Sequence, residues 1–310
     1  MNGIIIIDKP AGRTSHDVVR EVRRTLGVKK AGHTGTLDPL ATGVLPVCLD
    51  EGTKLAQFFC MDMKEYRATM LLGVTTDTYD VEGTIVAEER PVVNRQDIER
   101  ALLSLVGKRK QVPPPYSAVK HQGKPLYRWA RKGIPVVSPP RPIEIFRISL
   151  EELALPYVTF EVVCSKGTYI RSICLEVGEI LGCGACLAGL RRTKSGFYSE
   201  KQACCITGEE GEEKKEALSA SIISLADALP DFPAIRIDRP LAEKIRQGYQ
   251  LAAGALAPYH IPSLDAGDML RLIYDRELVA VARMLCSSEC LPGLPGQEQA
   301  MKILRVFTGG

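Results

Sequence analysis

The sequence predicts an α+β fold, with a mixed, mainly antiparallel central sheet flanked by helices and followed by a small C-terminal β-barrel-like domain. Two observations indicate this fold. Segments typical of strands and of helices are interspersed, with several strands joined as hairpins, and from about residue 233 onward short apolar runs are broken by glycine and proline. A length of 310 residues and a hydrophobic content of 45% fit two globular domains and exclude a disordered chain.

The first 46 residues predict a buried strand, a helix and a structured loop. Gly3–Ile7 is rich in β-branched residues, as buried strands are. Apolar residues then recur at helical spacing behind the candidate N-cap Thr14, and Gly27 ends this helix. Gly32–Pro46 is so rich in glycine, proline and threonine that we expect a loop with fixed backbone angles.

The middle of the chain predicts further strands and helices in alternation. The segments are strands in 64–90, a helix over Asp97–Val106, irregular basic and proline-rich chain over 111–142, strands in 143–164 and a helix over Ile170–Leu181. We expect residues 206–232 to form a charged linker with a connecting helix before the C-terminal domain at 233–310.

Charge and hydropathy indicate which kind of partner and which cellular compartment to expect. Residues 1–200 carry 28 Lys and Arg against 22 Asp and Glu, whereas residues 201–310 carry 12 against 15. The excess of basic residues over 1–200 weakly favours a polyanionic partner. Nowhere do 18 apolar residues run together, and the start does not resemble a signal peptide, so we expect a cytosolic protein whose ten cysteines are reduced thiols.

Asp38 is the first candidate catalytic residue. It lies in the Gly32–Pro46 loop between apolar neighbours that offer it no local partner. Arg171 is the second candidate, because it falls on the first turn of a predicted helix, where a cation is unfavourable unless an anion faces it. A buried Asp38–Arg171 pair answers both observations. The alternatives are that Asp38 only begins an Asp-Pro turn and that Arg171 is solvent-exposed.

Tyr66 beside Arg67 on a predicted strand is typical of a pair that stacks a nucleobase and contacts phosphate, although a lone strand tyrosine is more often part of the core. Basic clusters also occur at Lys108–Lys110 and Lys120–Lys132, and the second has Tyr127 and Trp129 interleaved. Interleaved aromatic residues make that cluster more typical of RNA binding than of a plain charged face.

Together these residues resemble the bacterial tRNA pseudouridine synthase B family, whose members isomerise uridine 55 in the tRNA T loop. The matching segments follow the family's order and spacing over roughly residues 3–196. They are Asp8–Pro10, Gly12, Ser15, Gly32–Leu45, Tyr66–Arg67, Gly73, Thr76–Thr78, Asp80, Gly83, Pro113–Ala118, Ser165–Arg171 and Leu190–Thr193. Beyond them the C-terminal part resembles the family's RNA-binding PUA domain only loosely.

The resemblance implies the roles of three catalytic residues. Asp38 is the nucleophile that acts on the glycosidic bond, and Arg171 pairs with it and keeps it ionised. Tyr66 stacks on the target base and accepts a proton at the end of the reaction.

The resemblance also implies a substrate-binding set: His33, Tyr169, Lys9, Leu190 and Asp80. His33 enters the RNA where the flipped nucleotides leave it, or else is simply a hydrogen-bonded loop histidine. Tyr169 lines the pocket of the base, and we expect Lys9 to support the site through the sheet.

For the architecture, the resemblance implies a catalytic domain over 1–205 with an RNA-gripping insert at about 108–142, and a PUA-like domain over 233–310. The expected partner is tRNA, bound at its T stem-loop and elbow by a monomer that needs no protein partner, metal or cofactor.

Three alternatives stay open. An RNA-folding chaperone needs no chemistry at Asp38, and a guide-RNA-dependent pseudouridine synthase of the archaeal and eukaryotic type shares the catalytic motif. The pair Cys183 and Cys186, with Cys204 and Cys205 beyond it, suggests a zinc or redox site, but a second C-x-x-C is missing, which favours ordinary buried thiols.

Overall fold

The structure is a computed structural model that describes residues 1–59, 63–134, 136, 138–208 and 211–308. The helices in these ranges are α1 Ser15–Leu26, α2 Ala56–Phe59, α3 Arg95–Leu103, α4 Leu126–Ala130, α5 Ile170–Leu181, α6 Gly211–Ala220, α7 Arg239–Arg246 and α8 Ala253–Leu256. The strands up to the end of the insert are β1 Gly3–Lys9, β2 Ala31–His33, β3 Thr42–Leu49, β4 Lys64–Leu72, β5 Val74–Thr76, β6 Ile85–Glu88, β7 Gly107–Gln111, β8 Lys120–His121 and β9 Lys124–Pro125. The later strands are β10 Arg141–Ala154, β11 Tyr157–Cys164, β12 Ala185–Ser195, β13 Tyr198–Ser199, β14 Cys204–Cys205, β15 Ala234–Arg236, β16 Leu251–Ala252, β17 Met269–Tyr274, β18 Glu277–Met284 and β19 Gln299–Val306.

A ten-stranded mixed sheet forms the body of the molecule. Its strand order is β14-β1-β3-β12-β4-β11-β10-β7, with β13 beside β12 and β2 beside β3. Among the described residues the parallel pairs in this sheet are β1 with β14 and β3 with β12, and the other pairs are antiparallel. Helices α1, α3 and α5 pack against the sheet. This arrangement confirms the predicted α+β fold.

Strand β1 is buried on both faces, as its run of isoleucines predicts. Ile5 and Ile7 pack in the cluster that includes Val18 of α1, whereas Ile4 and Ile6 pack in the cluster that includes Phe307 near the C-terminus. The first helix also forms as predicted. One strand therefore contacts both a helix of the body and the C-terminal domain.

The ends of α1 follow directly from its local sequence. The Thr14 and Asp17 side chains form a reciprocal capping box at its N-terminus, and Gly27 closes its C-terminus with a left-handed φ of 65°. Helix α5 has the predicted bounds, and Gly182 caps it in the same way with a φ of 75°. These boundaries are local properties, which is why the sequence predicts them well.

The prediction that all of Gly32–Pro46 is loop is wrong at both ends. Its first residues lie in β2, and β3 begins at Thr42, so the loop spans only residues 34–41. Pairing with β1 and burial of Val44 and Leu45 outweigh the local composition. Gly43, with a φ of 98°, would bring a Cβ within 2.3 Å of the Arg192 carbonyl oxygen, so glycine is required there.

The insert is also more regular than its sequence predicts. Lys120–His121 and Lys124–Pro125 form a short hairpin, and α4 follows it, held by the buried side chain of Leu126. Residues 135 and 137 of the insert lie outside the described residues.

The C-terminal part contains a five-stranded curled sheet in the order β15-β17-β18-β19-β16, with α7 packed beside it. This agrees with the predicted PUA-like domain. It shares a hydrophobic cluster with the body, in which Leu278, Val281 and Phe307 pack with Ile4 and Ile6.

Between the two domains, α6 lies against α1. Its Leu218 is buried in the α1 cluster, and Lys214 forms an ion pair with Glu21 at 2.5 Å. The part of the predicted charged linker that forms α6 is therefore packed against the body. Residues 209 and 210 lie outside the described residues.

Within the described ranges, none of the helices has the length and apolar character needed to cross a membrane. No disulfide joins any of the nine described cysteines, and Cys60 lies outside the described residues. In the same ranges we find no group of three or more His, Cys, Asp and Glu side chains arranged to hold a metal ion.

We expect Phe307→Ala to lower the free energy of unfolding by about 3–5 kcal/mol, because the ring is fully buried between the two domains. The matched control is Phe146→Ala, whose ring is 43% exposed and whose loss should change stability by less than about 0.5 kcal/mol. Urea unfolding of both variants measures the difference. Equal effects would contradict a stabilising core shared by the two domains.

Candidate active site

The loop that carries Asp38 is held by buried side chains from two distant parts of the chain. Ser15 of α1 donates its hydroxyl hydrogen to the Leu37 carbonyl at 2.9 Å and accepts the Leu37 N–H at 2.8 Å. Arg192 of β12 is 1% exposed and donates to the carbonyls of Val44 at 2.7 Å and Gly35 at 3.1 Å. Both sides of Asp38 are therefore fixed to regular secondary structure.

Lys9, at the end of β1, also supports the loop that carries Asp38. Its ammonium group is fully buried and donates to the carbonyls of Pro10 at 2.8 Å, Arg13 at 2.6 Å and Pro39 at 3.2 Å. Burial lowers the pKa of Lys9 to about 8, although the negative charge of Asp38 raises it in part. The structure thus places Lys9 as a support next to Asp38.

Arg171 brings the candidate residues together. Its Nε lies 2.9 Å from Asp38 Oδ2, and its Nη1 lies 3.5 Å from Asp80 Oδ2. Nη1 also donates to the Thr78 carbonyl at 3.0 Å, and Nη2 donates to the Tyr116 carbonyl at 2.8 Å. The guanidinium group is 5% exposed, so a cation on the first turn of α5 is indeed paired with anions and carbonyl dipoles.

Asp38 differs from Arg171 in its access to solvent. Its side chain is 37% exposed, while the cation behind it is enclosed. Partial burial raises the pKa of the Asp38 carboxyl; Arg171 opposes this rise and the nearby charge of Asp80 adds to it. Asp38 is therefore a solvent-accessible carboxylate whose position is fixed by its contact with Arg171.

Asp80 is the second acid of the site, and it lies deeper. Its side chain is 8% exposed. Its Oδ1 accepts hydrogen bonds from the Thr78 hydroxyl at 2.7 Å and the Glu82 N–H at 3.1 Å. The structure therefore places Asp80 against Arg171 rather than at an open surface.

Two tyrosines lie in the electrostatic field of Asp38. Tyr66 of β4 is packed between two core clusters with Leu190 of the neighbouring β12, and burial raises the pKa of its hydroxyl. Tyr169 directly precedes α5, and burial raises the pKa of its hydroxyl as well. The charge of Asp38 adds to the rise in both pKa values, so the structure brings both rings to the same site.

His33 occupies a different setting, at the end of β2. It lines an open groove of about 470 Å³ together with the cations of Arg23, Lys29 and Lys30. Burial lowers the pKa of the imidazole, and the positive charge of Arg192 lowers it further. The ring is therefore neutral at pH 7 and lies among cations.

Two residues that shape the site were not predicted from the sequence. Arg192 lies in the matching segment Leu190–Thr193 but was given no role of its own, and it is buried behind the Asp38 loop. Gln111 was not singled out, yet its side chain is bonded to the backbone of Tyr169. Nothing in the local sequence indicates that either side chain is buried, because Arg192 lies in the basic run Arg191–Lys194 and Gln111 follows the basic run Lys108–Lys110.

Comparison with protein families identifies the chain. Residues 23–170 match the model described as TruB family pseudouridylate synthase (N terminal domain). Residues 171–228 match a second model, described as tRNA pseudouridylate synthase B C-terminal domain. The chain belongs to the TruB family.

Full-length relatives of the TruB family confirm this assignment and the resemblance predicted from the sequence. The chain is 51% identical to tRNA pseudouridine synthase B of Syntrophus aciditrophicus (strain SB), covering 99% of both chains. It is 43% identical to tRNA pseudouridine synthase B of Geobacter sulfurreducens (strain ATCC 51573 / DSM 12127 / PCA), covering 99% of this chain and 100% of that one. The chain is therefore an enzyme of the pseudouridylate synthase class.

Solved structures agree with the fold. A chain in a Cbf5-Nop10-Gar1 complex matches with a TM-score of 0.73 and 28% identity, over 99% of this chain and 85% of that one. A chain in an H/ACA RNP bound to a substrate RNA containing 2'-deoxyuridine matches with a TM-score of 0.72 and 26% identity, over 99% of this chain and 85% of that one. The whole TruB family chain thus shares its architecture with these proteins.

We expect the stabilising effect of Lys9 to depend on pH. At pH 7, Lys9→Met should lower the free energy of unfolding by about 1–3 kcal/mol, because three carbonyl groups lose their buried donor. The folded pKa of about 8 lies below the ordinary value of 10.5, so between these values the unfolded chain binds more protons. The difference in stability between parent and Lys9→Met should therefore increase from pH 8 to pH 10.5. Urea unfolding across this range measures it, and a constant or falling difference would contradict the lowered pKa.

Proposed function

We propose that this enzyme isomerises uridine 55 in the T loop of tRNA to pseudouridine, with Asp38 as the nucleophile. The observation that carries the proposal is the partly exposed Asp38 carboxylate held 2.9 Å from the buried Arg171 in a TruB family chain. The names of the full-length relatives support tRNA as the substrate.

The proposed reaction replaces the bond from the ribose C1′ to N1 of uracil by a bond from C1′ to C5. The bond between the ribose C1′ and N1 of uracil breaks, the base turns, and C1′ rejoins the base through C5, which loses its hydrogen as a proton while N1 gains one. A carboxylate suits this isomerisation because it can attack covalently or stabilise an oxocarbenium-like sugar. Atoms and electrons balance without a redox step, so the proposal requires no metal or cofactor.

Tyr66 and Arg171 assist this step in different ways. Burial raises the pKa of the Asp38 carboxyl, and the positive charge of Arg171 opposes this rise and so favours the ionised form. Tyr66 offers an aromatic face to the base, and its raised pKa keeps the hydroxyl protonated at pH 7. A protonated phenol favours the stacking role of Tyr66 over early removal of the C5 proton.

A uridine inside a folded T loop must leave its stack before it reaches Asp38, at a cost of a few kcal/mol. We propose that His33 takes the vacated space, since a neutral imidazole can stack in RNA without a desolvated charge. We assign Tyr169 and Leu190 to the walls of the base pocket. Asp80 acts on the base indirectly, through Arg171.

We propose that residues 108–142 grip the RNA. In this insert, α4 and the hairpin before it line an open cavity of about 420 Å³ with one indole ring and a set of cations. The lining residues are Lys124, Tyr127, Arg128, Trp129, Arg131 and Lys132. Cations beside aromatic rings suit a phosphate backbone with unstacked bases.

For the whole chain we propose a catalytic domain over 1–205, a connecting segment over 206–232 and an RNA-binding PUA-like domain over 233–310. We propose that it acts as a monomer on the T stem-loop and elbow of tRNA, without a protein partner. Identity to full-length bacterial tRNA pseudouridine synthases exceeds identity to the chains from H/ACA complexes, which favours action without a guide RNA.

Incubating the purified chain with an unmodified tRNA transcript and mapping pseudouridine tests the proposal. We expect modification at position 55 in the absence of any other macromolecule. A requirement for a guide RNA would favour the archaeal and eukaryotic type of enzyme, and improved tRNA folding without a modified base would favour a chaperone.

We expect Asp38→Asn to abolish turnover, while tRNA affinity stays within about tenfold, or roughly 1.4 kcal/mol, because phosphate contacts supply most of the affinity. The matched control is Asp231→Asn, an exposed aspartate of the connecting segment, which should keep the parent rate. Pseudouridine formation and filter binding measure the two effects. Turnover by Asp38→Asn near the parent rate would exclude Asp38 as the nucleophile.

We expect Arg171→Lys to lower the single-turnover rate by about two orders of magnitude, the scale of a misplaced catalytic group. One lysine nitrogen cannot replace three guanidinium nitrogens that face Asp38, Thr78 and Tyr116. The salt dependence of tRNA binding should not change, whereas the comparison variant Arg128→Ala should reduce the slope of log K against log salt by about one. A normal rate with a flatter slope in Arg171→Lys would instead assign Arg171 to phosphate.

A further inference from the structure

The start of the insert is bonded directly to the first turn of α5. We call residues Gln111–Ser117 the insert root. Gln111 ends β7 and is 6% exposed. Its Oε1 accepts the Tyr169 N–H at 2.8 Å, and its Nε2 donates to the Tyr169 carbonyl at 3.1 Å. One side chain thus binds both backbone polar groups of the residue that precedes α5.

Two more hydrogen bonds join the insert root to α5. The Ser172 hydroxyl donates to the Val112 carbonyl at 3.1 Å, and Arg171 Nη2 donates to the Tyr116 carbonyl at 2.8 Å. The same Arg171 presents its Nε to Asp38. A displacement of the insert root therefore changes the position of the group that orients the carboxylate.

The other end of the insert root is attached to the proposed RNA-gripping helix. The Tyr127 N–H donates to the Ser117 carbonyl at 3.1 Å, and the Leu126 N–H donates to the Val119 carbonyl at 2.7 Å. Helix α4 carries the exposed Arg128. Hydrogen bonds at Tyr116 and Ser117, joined by the backbone of the insert root, thus connect the proposed RNA contact with Arg171.

We propose that Gln111 is a positioning residue for the chemical step, and that the insert root couples RNA binding on α4 to the alignment of Arg171 and Asp38. This inference rests on the proposed function of the site. The insert then contributes to the rate constant of the reaction as well as to affinity, because a small misalignment of reacting groups costs orders of magnitude in rate.

Single-turnover kinetics with saturating full-length enzyme test the proposal. We expect Gln111→Leu, which removes both bonds to Tyr169, to lower the maximal rate by about 10- to 100-fold. The dissociation constant for tRNA should stay within about twofold of the parent, because Gln111 is not assigned to phosphate. The control Gln202→Leu removes a glutamine that accepts two hydrogen bonds from Ser199 in a capping box, and it should keep the parent rate.

Gln111→Glu separates positioning from a general loss of stability. A protonated glutamic acid donates and accepts as the amide does, whereas the ionised form cannot donate to the Tyr169 carbonyl. The rate of Gln111→Glu relative to the parent should therefore rise as the pH falls from 8 to 5.5. A ratio that does not change with pH would contradict a role for the Gln111–Tyr169 bonds in the chemical step.

Hydrogen exchange of the Tyr169–Ser172 amides gives a readout that does not depend on activity. We expect tRNA to slow this exchange in the parent and in Arg171→Lys but not in Gln111→Leu. Equal slowing in Gln111→Leu, or an unchanged maximal rate with weakened tRNA binding, would overturn the coupling. A parent that binds tRNA but forms no pseudouridine would refute the proposed function, while the exchange comparison would still decide the coupling.

Discussion

The site depends on one buried cation. A guanidinium group that is 5% exposed needs partners for its donors, because an unpaired charge in the interior is costly. Arg171 forms ion pairs with two carboxylates and donates hydrogen bonds to two backbone carbonyls, and these groups come from the Asp38 loop, the Thr78–Asp80 turn and the insert root. Satisfying one charge therefore brings three segments, distant in sequence, to a common point.

This arrangement leaves Asp38 in an unfavourable electrostatic state that suits its proposed role. Burial and Asp80 raise its pKa, and Arg171 only partly offsets them. A carboxylate with one ion-pair partner and an accessible surface keeps more of its nucleophilic character than one surrounded by donors. The remaining stability of the loop comes from neutral or buried contacts, such as those of Ser15 and Lys9, which do not touch the carboxylate.

What the sequence predicts here is what local physics determines. Capping residues set both ends of α1 and the C-terminal end of α5. The helix dipole indicated that Arg171 needs an anion, which the structure provides in Asp38. The predicted extent of the Asp38 loop was wrong because pairing with β1 makes residues 42–46, which contain glycine and proline, part of strand β3. The roles of Arg192 and Gln111 depend on contacts 157 and 58 residues away along the chain, which no local pattern reveals.

The burial of β1 on both faces has a consequence for the choice of substrate. Alternate isoleucines of this strand contact the C-terminal domain and α1, and its last residue, Lys9, supports the loop of Asp38. The C-terminal domain and the catalytic loop are thus fixed to one inextensible element of seven residues. If both contact the same RNA, as proposed, the fixed distance between them would favour a helical arm of one length, whose loop then lies at Asp38.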